Sequence, residues 1–170
     1  LVRAGLPLNK FGFGERLKLR HITLAIIAVI ILRIFAYTLN PIIEELFSGP
    51  RNLERFSDVE GSVVSFVALL ITNWTLAAFG EEFTYRIILM RSLSFIFGNS
   101  KKGQILAIVV QAVMFGLIHS YQGPTGIVGS TFSGLVFGTI TILGRWSIWP
   151  AALAHGTSNT IGIITLFIGE

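Results

Sequence analysis

From Gly61 to Phe79 the chain carries no charged residue, yet directly after this run stand Glu81, Glu82 and, four positions beyond the second, Arg86. A run of that length and polarity suits a bilayer, because a membrane-spanning helix needs about 20 mostly apolar residues. Three ionisable groups at its end need an explanation, since a charge at a helix centre costs about 2.5–3.5 kcal/mol on the membrane-insertion scale. The rest of the sequence agrees with a membrane protein. Of 170 residues, 52% are hydrophobic and 13% charged, about half the charged share of an ordinary soluble domain.

There is no cysteine, which excludes disulfides, thiolate metal sites and cysteine nucleophiles. The net charge of +4 comes from clustered basic residues. In a membrane protein such clusters act as orientation signals, so no nucleic-acid partner is expected. Residues 1–20 form a basic, cytoplasmic lead-in with Arg3, Lys10, Arg16, Lys18 and Arg20. Its apolar residues are too interrupted for a signal peptide. Residues 21–170 are read as one membrane domain.

The first span runs from about His21 to Leu39 and holds one charge, Arg33, read as snorkelling to the near interface. A polar, net acidic loop over residues 40–60 contains the breakers Pro41, Gly49 and Pro50. The second span is Gly61 to Phe79, followed by an apolar, helix-compatible stretch to Phe97. After the basic turn "GNSKKG" come spans from Gln104 to His119, Ile127 to Leu143 and Pro150 to about Ile168. If residues 80–98 do not cross the membrane by themselves, every short basic loop faces the cytoplasm and the acidic loop faces outside. The expected fold is an all-α polytopic transmembrane helical bundle. It has about five spans plus the helix bearing the Glu pair, arranged around a polar intramembrane cavity.

Two further places hold polar groups in apolar runs: "MFGLIHS", with His119, and "LAHGTSNTIGI", with His155 and Asn159. Glu82 and Arg86, at i and i+4, share a helix face and can pair, so that Arg86 orients and does not react. Glu81 points about 100° away and needs a different task. His155 and Asn159 are again at i and i+4, and Phe115, one turn before His119, can wall that ring. Each feature alone has a plainer reading: a surface ion pair, a structural hydrogen bonder, an interhelical clamp beside Gly156. Three separate intrusions of catalytic residue types together favour a functional site. His21, beside basic residues at a helix start, is read as interfacial.

"EEFTYR", "FGLIH" and "HGTSN" read EExxxR, FxxxH and HxxxN. In this order, on separate membrane segments, they resemble the CAAX-protease and bacteriocin-processing (CPBP, Abi) family, which includes the type II CAAX prenyl endopeptidases. The likeness covers about residues 61–168, and "HSYQGPTGI" and "SIWPAALAHG" look like bacterial members. The resemblance implies an intramembrane endopeptidase acting on a membrane-associated, prenylated or bacteriocin-like peptide. It implies that Glu81 is the general base for a water shared with His119, that His155 and Asn159 form the oxyanion hole, and that Glu82 and Arg86 hold the site together. Ser120 and Ser158 adjoin these residues, but no Gly-x-Ser-x-Gly elbow accompanies either.

Zinc is the cofactor left open, with Glu81, His119 and His155 as its ligands; no HExxH helix is present. The expected partners are a peptide or protein substrate and the lipid bilayer. The location expected is a bacterial plasma membrane, with the cavity opening towards the cytoplasm. Two other function classes stand beside the protease: a membrane scaffold or immunity protein, and a proton-coupled carrier, for which the inverted repeats are missing.

Overall fold

The computed structural model describes residues 16–47 and 49–169. Most of the basic lead-in, residues 1–15, lies outside them. The described residues form helices and turns only, in the order α1 (Leu19–Thr38), α2 (Asn40–Leu46), a 3₁₀ turn (Glu54–Val59), α3 (Val63–Thr72), two π-helical stretches (Asn73–Glu81 and Phe83–Met90), α4 (Arg91–Ile96), α5 (Lys101–Ile118), a second 3₁₀ turn (Ser120–Gln122), α6 (Gly123–Leu143) and α7 (Trp149–Ile168). Five helices are long and apolar enough to span a membrane, and the protein is an integral membrane protein of the expected all-α class.

The segment around the Glu pair differs from the sequence expectation. Residues 80–98 are not a separate helix, for α3, both π stretches and α4 run on as one 34-residue rod, Val63–Ile96. At about 1.5 Å per residue the rod approaches 50 Å, well beyond a hydrocarbon core of about 30 Å. The carboxylates therefore sit inside a continuous helix and do not end one. π-Helical hydrogen bonding is rare and tends to mark functional sites; here it covers the segment holding Glu81, Glu82 and Arg86.

Local chemistry sets the ends. Ser62 accepts a hydrogen bond from the Ser65 amide to start α3, and Ser100 accepts one from the Gly103 amide to start α5. Gly98, at φ 85°, makes the tight reversal between α4 and α5. Pro150 occupies the first turn of α7, where its missing N–H costs nothing. His21 lies in the first turn of α1, at an end of the bundle. It is fully buried, and its Nδ1 accepts from the Lys18 amide. Arg33 is half-buried.

Helix association within a bilayer relies on close backbone approach rather than on hydrophobic sorting. Ala25, Ala28 and Leu32 of α1 pack against Phe137 and Ile140 of α6 and Ala151 and Ala154 of α7. Large apolar residues such as Ile26, Ile30, Ile34 and Val64 point outwards, as lipid-facing residues do. One close joint lies between the rod and α7. A Cβ on Gly156 would stand 2.5 Å from the Trp74 ring. Gly156→Ala is therefore expected to destabilise the protein by about 1–3 kcal/mol through overpacking, read as a lower thermal midpoint in detergent.

The bundle has two distinct ends. At one, Arg20 donates to the Gly144 carbonyl (3.1 Å) and the Arg91 guanidinium lies 5.6 Å from the Trp146 ring. At the other, the Asn52 amide donates to the Gln122 carbonyl (3.0 Å), Thr125 to the Gly49 carbonyl (2.9 Å) and the Gly61 amide to the Phe167 carbonyl (3.1 Å). The basic turns belong to the first end and the acidic loop to the second.

Candidate active site

Glu82 and Arg86 of the rod are both fully buried, and Glu82 Oε2 lies 2.8 Å from Arg86 Nε. Removing two charges from water is costly unless every remaining polar atom finds a partner. Here most do. Glu82 Oε1 lies 2.8 Å from His155 Nδ1 on α7, and Arg86 Nη1 donates to Gln111 Oε1 on α5 at 2.9 Å. The guanidinium also sits 4.5 Å from the Phe115 ring centre and 5.5 Å from that of Phe137, within cation–π range. His155 stacks on Phe137 at 5.1 Å and meets the edge of Phe115 at 6.0 Å. Two aromatic rings thus enclose an Arg–Glu–His chain.

The partners fix the ring protons. A carboxylate accepts, so His155 Nδ1 carries the hydrogen it gives to Glu82. His119 likewise donates from Nδ1 to the Phe115 carbonyl at 2.7 Å. In each neutral ring Nε2 is then an acceptor. His155 can donate from Nε2 only when both its nitrogens are protonated.

Glu81 is placed differently. It is half-buried, within electrostatic reach of His155, Glu82 and Arg86, and its Oε2 is enclosed without a hydrogen-bond partner among the described residues. His119 is half-buried beside Phe115, ring centres 4.7 Å apart, and within electrostatic reach of His155 and Arg86. It lies at the end of the bundle that carries the acidic loop, and Tyr121 is 5.9 Å from its ring.

The structure therefore gathers Glu81, Glu82, Arg86, His119 and His155 around Phe115 and Phe137. Asn159, one turn after His155, is exposed. Among the described residues no three His, Asp or Glu side chains are disposed to hold a metal ion. Glu81, His119 and His155 as placed do not converge on a site for zinc.

Gln111 is the site residue that motif reading passed over. Its signal was present: a lone amide in the apolar run "ILAIVVQAVMF", on the same face as Phe115 and His119 at i+4 and i+8.

The family model for type II CAAX prenyl endopeptidase Rce1-like proteins matches residues 63–161, a stretch that begins with the rod and ends just after Asn159. No curated protein and no solved structure matches the chain.

Proposed function

The chain belongs to the Rce1-like family of type II CAAX prenyl endopeptidases, and we propose that it hydrolyses a peptide bond of a membrane-associated peptide with a water activated by Glu81. The carrying observation is the asymmetry of two neighbouring carboxylates. Each Glu82 oxygen has a fixed neighbour at 2.8 Å, Oε2 the Arg86 guanidinium in an ion pair and Oε1 the His155 ring. Glu81 keeps an enclosed oxygen with neither an ion pair nor a hydrogen bond among the described residues. Buried polar atoms are almost always satisfied, and a water is the small partner that also serves hydrolysis.

In this reading Glu81 takes a proton from the water as its oxygen attacks the carbonyl carbon. His119 Nε2 accepts the water's other hydrogen and so aims the oxygen lone pair. The carbonyl π bond opens to an oxyanion. Asn159 donates to it from its exposed amide, and His155 donates from Nε2 when doubly protonated, its Nδ1–H held by Glu82. Collapse reforms the carbonyl, breaks the C–N bond and returns the proton from Glu81 to the leaving amine. Atoms and charge balance without a cofactor. Glu82 and Arg86 touch no reacting atom and serve as the brace.

Asn159→Ala is expected to lower kcat by about 10²-fold or more while KM changes little, as for loss of an oxyanion donor. The reading as a whole is tested by cleavage of quenched peptides, prenylated and unprenylated, by the detergent-purified protein with and without a zinc chelator. Cleavage that survives the chelator is expected. Chelator-sensitive cleavage restored by zinc would overturn the metal-free route, and no cleavage of any peptide would leave the scaffold reading.

The loop charges favour a cytoplasmic location for the end bearing Lys101, Lys102 and Arg145. We take the substrate to enter from that side and reach past His155, about two turns in from Trp149, towards Asn159 and His119, which lie nearer the other end. The chain has no native cysteine, so a single cysteine at exposed Asn159 reads the side. Labelling by an impermeant reagent from the cytoplasmic face is expected; labelling from the opposite face alone would contradict it.

A further inference from the structure

We propose that Gln111 is a positioning residue for this site, fixing the His155 ring through Arg86 and Glu82. The inference rests on the reading above, in which His155 serves the reaction. Gln111 is fully buried in α5, and every polar atom of its amide has a definite partner. Nε2 donates to the Ile108 carbonyl at 2.9 Å and, across to α6, to the Gly134 carbonyl at 2.8 Å. Carbonyls only accept, so the amide nitrogen must face them, and Oε1 must face Arg86. The orientation of the amide is set by its surroundings.

From there the constraint passes outwards. Arg86 is planar, held by Gln111 at Nη1 and by Glu82 at Nε, with Phe115 against its face. Fixing two edges and a face fixes the plane. Glu82 then has one oxygen committed to Arg86, which orients the other towards His155 Nδ1. Four side chains join α5, α6, the rod and α7. A Glu–Arg pair needs no third member to be an ion pair; what the amide adds is direction. α6 leaves room for it, because a Cβ on Gly138 would stand 2.7 Å from Gln111 Nε2 and 3.2 Å from Met90 Sδ.

Two variants test this in the detergent-purified full chain. Gln111→Met keeps the side-chain volume and removes the acceptor for Arg86. Gly138→Ala crowds the amide from α6 while leaving Gln111 and the proposed catalytic side chains unaltered. The readouts are kcat and KM on a cleaved peptide, and the ¹⁵N-histidine spectrum, tractable because the chain has three histidines. Gln111→Met is expected to lower kcat by about 10- to 100-fold, the scale of an ångström-level misplacement, with KM within about twofold. The His155 Nδ1–H signal is expected to shift or broaden, and Gly138→Ala to act in the same direction more weakly.

A folded Gln111→Met with unchanged kcat would overturn the proposal, as would lost kcat with an unchanged His155 signal. If Gln111→Met does not fold, Gly138→Ala decides by the same two criteria. If the wild type cleaves no peptide, the proposed function fails. The His155 spectrum still judges the brace, and an unchanged signal in the variant sinks it.

Discussion

Glu82→Ala is expected to destabilise the protein by about 3–5 kcal/mol, the cost of stranding one member of a buried ion pair. Arg86 would keep its charge in a site it shares with Phe115 and Phe137, and His155 Nδ1 would lose its acceptor. The double variant Glu82→Leu/Arg86→Met separates charge from shape. Replacing both members by apolar side chains of similar size is often neutral or better for stability. Most of the lost stability should therefore return, a strong positive coupling in a double-mutant cycle. Activity should not return, because the His155 ring is no longer oriented. Thermal or denaturant unfolding in one detergent gives the first quantity, and turnover of the refolded double variant the second.

Glu81→Gln is expected to do the reverse. Glutamine keeps the shape and hydrogen-bonding capacity of the carboxyl group but cannot take a proton from water. Loss of a general base costs about 10²–10⁴-fold, so cleavage should fall by at least that much while membrane insertion and melting stay near wild type. Nothing in the packing opposes the change. Glu81 is half-buried and makes no ion pair within 4 Å among the described residues, whereas Glu82 is clamped on both sides. Single-turnover cleavage of a saturating peptide checks the size of the effect without interference from product release.

Much of this architecture was legible in the chain. Hydropathy located the spans because a bilayer leaves few solutions for long apolar runs. The i, i+4 spacing announced the Glu82–Arg86 pair, since spacing within one helix is a local property. What escaped was tertiary. Adjacent charges normally end a membrane helix, so Glu81 and Glu82 suggested a boundary after Phe79. Inside the rod the Glu82 charge is compensated by Arg86 and by His155 from another helix, and no local pattern reveals such compensation. The π geometry around the pair has no residue signature either. The Glu82–His155 contact joins positions far apart in sequence. Asn159 shares a nominal face with His155 yet stays exposed, because Phe137 stacks on the histidine and the next turn has no such cover in the contacts seen. Gln111 was visible as an anomaly, but its meaning depended on a guanidinium arriving from another helix.

The central claim is a division of labour between adjacent carboxylates, in which Glu81 reacts and Glu82 holds. The most direct test measures kcat and melting temperature for Glu81→Gln and Glu82→Gln side by side, in one detergent and on one peptide. The account predicts that Glu81→Gln melts like wild type and does not cleave, and that Glu82→Gln melts well below it. A Glu81→Gln protein that cleaves normally, with turnover lost only at a fully stable Glu82→Gln, would reverse the two roles and contradict it.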